Sequence, residues 1–261
     1  MSAHVTYALE GPVALIGLDR ADKRNALSEE MIAAIGEAAT RAGEEARVGI
    51  LHSHGEHFSA GLDLAEALRT RDTADRLRPR SRRWHAAFDR IARGPIPFVA
   101  ALGGAVIGGG LELAAAAHIR VADETAYFAL PEAQRGIFVG GGGSVRIQRL
   151  LGTARMTDLM LTGRVLRADE AERFNLVQYV TPRGEALARA RQLAEGIAAN
   201  APLSNHAITS GLPRMPDLSH DDGLFFESLL AAYAAADAGT AGRLRDFVEK
   251  RAAPVAPEHS S

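Results

Sequence analysis

Apolar positions along the chain change rhythm several times, and the changes mark out elements. "HVTYALEGPVALIGLD" carries short apolar runs on either side of Gly11-Pro12, which predicts two strands around a turn. "LSEEMIAAIGEAATRA" then repeats its apolar residues three and four apart behind Ser28, the spacing of a helix with a serine N-cap. A second cycle follows: "ARVGILHS" reads as a strand, and "GEHFSAGLDLAEAL" as a loop passing into a helix. "IPFVAAL", entered through Pro95 and Pro97, is a compact buried strand that leads into a glycine-rich turn and a helix. "HIRVADETAYFALPE" supplies more strand, and "GGGGSVRIQRLLGTARMTDLMLTG" becomes helical after four glycines. From Arg183 onward the pattern is helical almost throughout, rich in alanine and leucine. Residues 1–182 are therefore expected to form a mixed α/β core and 183–252 a helical region, with 253–261 a frayed tail.

Two glycine clusters stand out from this pattern. Five glycines fall between Gly103 and Gly110, and Glu112 follows in the otherwise apolar "LELAAAA". Glycine lets a backbone N–H approach a ligand with no Cβ in the way, and a strand–glycine–helix junction presents such N–H groups together. The geometry suits an anionic oxygen. A nucleotide cradle does not fit: G-x-G-x-x-G fails from every glycine of 103–110 and 140–143, and no Gly-Lys-Ser/Thr follows. "FSAGLDL" at 58–64 is a second turn of the same kind, expected to present the N–H of Ala60. A carboxylate such as Glu112 among apolar neighbours is either paired or chemically employed, and Glu132, ordered behind Pro131, is a second acid for the same donors.

Composition narrows the class further. The 261 residues suffice for a sizeable core, and 47% hydrophobic content, 24% charged content and a net charge of −2 point to neither nucleic acid nor membrane. The absence of cysteine removes disulfides, thiolate metal sites and cysteine nucleophiles. No signal peptide or long apolar run is evident, so the expected location is cytoplasmic.

Taken in order, "RNALS", "HFSAGLDL", "IPFVAALGGAVIGGGLELAAAAHIRVA", "YFALPEAQRGIFVGGGGSVRIQRLLG" and "LTGRVLRADEAERFNLVQYV" resemble the enoyl-CoA hydratase/isomerase (crotonase) superfamily over roughly residues 5–250. The resemblance implies a crotonase-like spiral of ββα repeats followed by a C-terminal helical trimerisation region, assembled as a homotrimer or a hexamer of two trimers. It also implies an acyl-CoA thioester substrate, with coenzyme A part of that substrate and no separate cofactor. By resemblance, Ala60 and Gly109 form the oxyanion hole, Glu112 and Glu132 are the catalytic acids of a hydratase, and the N–H of Gly140 helps to place water. Arg24, Gly61, Leu62, Asp63 and Phe138 are the matching substrate and CoA contacts, and Lys23, Lys250 and Arg251 sit where relatives meet CoA phosphates. The implied reaction is reversible addition of water across the 2,3 double bond of an enoyl-CoA. Other chemistries of the family, double-bond isomerisation or thioester hydrolysis, and a non-catalytic or RNA-binding role are the alternatives.

Some positions depart from the family pattern or stand outside it. Many hydratases have proline where this chain has Val139, and Arg135 interrupts the preceding stretch. Phe138, Val139, Leu62, Trp84 and Phe88 are candidates for an acyl pocket, with packing in a helix or the core the competing and favoured reading of each aromatic residue. Seven arginines between Arg69 and Arg83 read as a solvated, mobile segment, with CoA phosphates or an acidic acyl group as the functional alternative. His52, His54 and His57 read as loop residues rather than metal ligands, since His-Glu-x-x-His is absent.

Overall fold

A computed structural model describes residues 2–70 and 73–251. Strands β1 (Val5–Glu10) and β2 (Val13–Leu18) form the expected hairpin, closed at Gly11 with φ +57°. Helix α1 (Glu29–Glu45) starts where Ser28 accepts the Met31 N–H at 3.2 Å. There follow β3 (Val48–Ser53), α2 (Leu64–Thr70), α3 (Ala74–Ala92) and β4 (Phe98–Leu102). The first glycine cluster holds a short strand as well as turns: β5 (Ala105–Ile107) separates Gly103-Gly104 from Gly108, and α4 (Gly109–Ala114) follows at once. Strands β6 (Ile119–Asp123) and β7 (Tyr127–Ala129) precede α5 (Gly143–Leu151) and α6 (Thr153–Thr162), which Gly152 separates with φ +80°. Then come β8 (Leu166–Arg167), α7 (Ala168–Arg173), β9 (Tyr179–Thr181) and α8 (Ala186–Ala199).

These elements build two sheets. The larger has strand order β1-β2-β3-β4-β6-β9 and is parallel apart from the β1–β2 hairpin; the smaller has the order β5-β7-β8. Consecutive strands β4 and β5, then β6 and β7, place one strand in each sheet, the repeat expected of a ββα spiral. The larger sheet is buried on both faces, which is why "VALIGL" and "FVAAL" are apolar throughout instead of alternating. Phe98, Ala100 and Leu102 face one core, shared with α1, α3 and α4. Val99 and Ala101 face the other, shared with Val13, Leu15, Val48 and Ile50. Ala186, Ala190, Ala194 and Ala198 of α8, four apart, close that second core.

Because its alanine stripe covers the sheet, α8 belongs to the first of two compact units, which part between Ala198 and Ala199. The sequence places that boundary near residue 183, where the strands end but the sheet is still uncovered. The second unit contains α9 (Pro202–Gly211), α10 (His220–Ala235) and α11 (Thr240–Val248). Ser219 caps α10, and His206 of α9 meets Tyr233 of α10 edge to face at 5.9 Å. The expected tail at 253–261 lies outside the described residues. Among the described residues no helix is long and apolar enough to cross a membrane.

Candidate active site

The 58–63 turn lies beside the first glycine cluster, held there by backbone pairing. Phe58 N–H donates to Gly103 O at 2.8 Å, Ser59 N–H to Ala105 O at 2.9 Å, and Ile107 N–H back to Ser59 O at 3.0 Å. The loop around Asn25 clamps the turn from its other side. The buried Asn25 amide donates to His54 O and His57 O, and Ser59 Oγ donates to Asn25 O. Ala60 N–H then donates to Arg24 O at 2.9 Å, Gly61 N–H to Ser59 Oγ at 3.1 Å, and Asp63 N–H to Leu27 O at 2.9 Å.

Within 58–63 a single N–H lacks an acceptor among the described residues, that of Leu62. The expectation for Ala60 is therefore corrected: its N–H is occupied by Arg24 O, and the donor left open stands two residues later. In the facing turn, Gly108 N–H donates to Ala129 O, whereas Gly109 N–H, at the start of α4, has no acceptor among the described residues. The two open donors are neighbours. A Cβ on Gly109 would stand 3.5 Å from Leu62 N and 2.8 Å from the Trp84 ring, and one on Gly61 would stand 2.6 Å from Ile107 O. Gly61 also has φ +88°, so neither turn has room or conformational tolerance for a side chain.

Glu112, on α4, is 3% exposed, and its Oε1 accepts the N–H groups of Gly141 and Gly143, both at 2.8 Å. The second glycine cluster thus forms a cradle around one carboxylate oxygen. Burial pushes the Glu112 carboxyl pKa up, while the N–H groups of Gly143, Gly141 and Gly140 and the charge of Arg146 pull against that. Glu132, 6% exposed, has no such cradle. Its Oε1 packs onto the Cα of Gly108, where a Cβ would come within 2.7 Å, and its buried Oε2 has no hydrogen-bond partner. Burial, then the negative charge of Glu112, raise its pKa to about 7.

One cavity of about 890 Å³ is lined by Leu62, Gly109, Glu112, Glu132 and Gly140, with Leu77, Trp84, Phe138 and Val139 on its apolar walls. Phe138 is exposed at this cavity, whereas Phe88 is fully buried behind Trp84, ring centroids 5.7 Å apart, and does not line it. Gly140, expected to place water, lines the cavity and belongs to the donor set around Glu112. Asp63 lies outside the cavity lining: its carboxylate accepts Glu66 N–H, capping α2, and pairs with Arg20 at 2.8 Å. Arg24 and Lys23 are exposed and outside the cavity lining, and Arg251 pairs with Asp246.

The arginine-rich stretch is more ordered than the sequence suggests. Residues 71 and 72 lie outside the described residues, but from Ala74 the chain is helical, and Arg80 and Arg83 both pair with Glu29, at 3.0 and 2.7 Å. His57 Nδ1 accepts Ala105 N–H and His54 contacts Thr6, so these histidines serve the turns they occupy. Among the described residues no group of three or more His, Asp or Glu side chains converges as a metal site would require.

The sequence profile of the enoyl-CoA hydratase/isomerase family matches residues 9–256. The chain belongs to that family. A crystal structure of a Rhodopseudomonas palustris protein, provisionally named an enoyl-CoA hydratase, is 48% identical with a TM-score of 0.90, covering 95% of this chain and 96% of the other. The carnitinyl-CoA dehydratase of Salmonella typhi is 37% identical over 211 residues, 80% of this chain and 79% of the relative. Enoyl-CoA hydratase EchA19 of Mycobacterium tuberculosis is 32% identical over 247 residues, 93% of this chain and 92% of the relative. The fold of this family member is thus the crotonase fold, with its helical C-terminal region.

Proposed function

We propose that the protein is an enoyl-CoA hydratase, acting on the 2,3 double bond of a 2-enoyl-CoA thioester. The observation that carries the reading is the convergence of two open N–H groups, Leu62 and Gly109, with two buried carboxyl groups on one cavity. In the forward direction a water oxygen bonds to C3 while its proton passes to the Glu112 carboxylate. The electron pair of the double bond moves toward the thioester, whose oxygen gains negative charge and accepts from Leu62 and Gly109. Two fixed donors lower the barrier here because they need no reorganisation as the charge develops; removing one such donor costs on the order of 10²–10³ in rate. Protonated Glu132 then gives its proton to C2, so one water is added in total, and proton transfer between the two carboxyl groups restores the starting state. Names among the relatives, a hydratase and a carnitinyl-CoA dehydratase, support water addition or removal beside a thioester as the chemistry.

The experiment is hydration of crotonyl-CoA and longer 2-enoyl-CoAs by purified protein, followed by loss of the conjugated thioester absorbance and by product analysis. A 3-hydroxyacyl-CoA product supports the reading. A shifted double bond, free coenzyme A or no turnover at all overturns it. The same reading carries assembly as a trimer or hexamer through the second unit, where Phe225, Leu229 and Tyr233 of α10 are exposed apolar side chains on one helix. Light scattering on the purified protein checks this, and a monomer at micromolar concentration contradicts it.

A further inference from the structure

The glycine cradle around Glu112 raises a physical problem. Gly140 to Gly143 are four consecutive residues without side chains, and fixing each backbone costs about 1–2 kcal/mol, most for glycine. Two N–H groups from this run nevertheless meet one oxygen of Glu112 at 2.8 Å each. Those two N–H groups belong to the 140–141 and 142–143 peptides. The peptide between them, 141–142, must turn its carbonyl the other way.

That carbonyl has a dedicated partner. Arg146 Nη1, one helical turn into α5, donates to Gly141 O at 2.9 Å, and Nη2 donates to Asp89 Oδ1 of α3 at 2.5 Å. The Arg146 side chain is 17% exposed, and its guanidinium lies against Gly142, where a Cβ would stand 2.4 Å from Nη1. Gly142 has φ +97°, a conformation open to glycine, so the turn and the guanidinium fit each other. The chain of contacts runs Asp89, Arg146, Gly141 carbonyl, cradle, Glu112.

We propose that Arg146, braced by Asp89, is a positioning residue that fixes the central peptide of the 140–143 turn and thereby aims its two flanking N–H groups at Glu112. Arg146 does not line the cavity, so it acts through the turn and not on substrate. A guanidinium suits the task because its planar fork satisfies a carbonyl and a carboxylate at once, which an ammonium cannot do with the same geometry. The other charged groups are Glu132, Arg80 and Arg135 on the cavity walls and Asp89 behind Arg146, itself 3.9 Å from Arg93; from α3 the side chains that reach Gly141 are the uncharged Trp84 and Phe88.

The rate arm of the test rests on the hydratase reading above, and the titration arm does not. Arg146→Ala, Arg146→Lys and Asp89→Asn are compared with wild type in crotonyl-CoA hydration and in carboxyl titration by NMR of glutamate-labelled protein. Arg146→Ala is expected to lower kcat about ten- to hundredfold, as a misplaced catalytic group does, with KM within about twofold. Its Glu112 midpoint rises by about one pH unit as the guanidinium charge is lost and the N–H donors lose aim, and Arg146→Lys, which keeps the charge, isolates the second cause. Arg146→Lys recovers part of both losses, and Asp89→Asn shows smaller shifts in the same directions. An unchanged Glu112 midpoint in Arg146→Ala overturns the proposal, even if thermal stability falls. If that variant does not fold, unchanged midpoints in both Arg146→Lys and Asp89→Asn overturn it equally. Wild-type protein that hydrates no enoyl-CoA removes the hydratase reading and leaves the titration arm to decide.

Discussion

Glu112 and Glu132 are the same residue type, both buried on walls of one cavity, and their surroundings treat them oppositely. Glu112 sits in a cradle of N–H groups that favours a carboxylate, while Glu132 is pressed against Gly108 with a buried oxygen that nothing satisfies. Two negative charges in one apolar cavity repel, and burial raises both carboxyl groups, but only Glu112 has N–H donors and the Arg146 charge pulling against that rise. On the hydratase reading proposed above, the difference teaches that the division into base and acid is written in the backbone around each side chain: the 140–143 turn would make Glu112 the proton acceptor, and the lack of any such turn would leave Glu132 the donor.

The largest test of this comparison removes each group in turn. Glu112→Gln and Glu132→Gln are each expected to lower kcat for crotonyl-CoA hydration by about 10²–10⁴, the usual contribution of a general acid or base. Wild-type rates in either variant would show that the residue takes no part. A smaller effect is expected from Gly143→Ala, whose Cβ would stand 2.8 Å from Glu112 Cγ, against a similar intrusion at Gly108→Ala, 2.7 Å from Glu132 Oε1. Each should cost about 10–100-fold in kcat by displacing its own carboxyl group, and a Gly143→Ala enzyme of full activity would mean the cradle is slack.

pH separates the two groups more finely. With Glu132 titrating near 7, kcat/KM should fall about tenfold per unit above that pH as the proton donor is lost. A rate flat from pH 6 to 9 would assign the proton to another source. The smallest effect is on stability. Glu132 holds its proton in the folded state up to about 7 but releases it near 4.5 when unfolded, so the contribution is complete below about 4.5 and is lost as pH rises through 7. That loss approaches about 3 kcal/mol at most, and Glu132→Gln should recover about 1–2 kcal/mol of it at pH 8. Glu112→Gln should recover less, because its raised pKa gives the same sign but the cradle N–H groups exchange a charged acceptor for a neutral amide oxygen. Thermal or urea denaturation of both variants checks the difference; an equal or larger gain in Glu112→Gln would erase the comparison.

Much of this was legible in the sequence where local chemistry decides. The hairpin at Gly11-Pro12, the Ser28 cap, the buried strands and the alanine-rich C-terminal helices follow from residue spacing, whereas the pairing of Glu112 with Glu132 is what the family resemblance implies. The donor at the first turn was not legible to the residue. "FSAGLD" contains six N–H groups, and which one stays open depends on Arg24 O and Leu27 O, contributed from more than thirty residues earlier in the chain. The helix at 74–92 was also hidden. Its mean polarity and Pro79 argue for a loop, but Arg80 and Arg83 fold onto Glu29 while Trp84 and Phe88 enter the core. Arg146 carries no motif of its own; only the carbonyl it meets reveals its place.

The most direct test of the central claim is a crystal structure of the protein with a saturated, unreactive thioester such as butyryl-CoA bound. The account predicts the thioester oxygen within about 3 Å of both Leu62 N and Gly109 N, and C2 and C3 facing Glu132 and Glu112. A thioester oxygen held elsewhere, or an acyl chain outside the cavity that these four residues line, would contradict it.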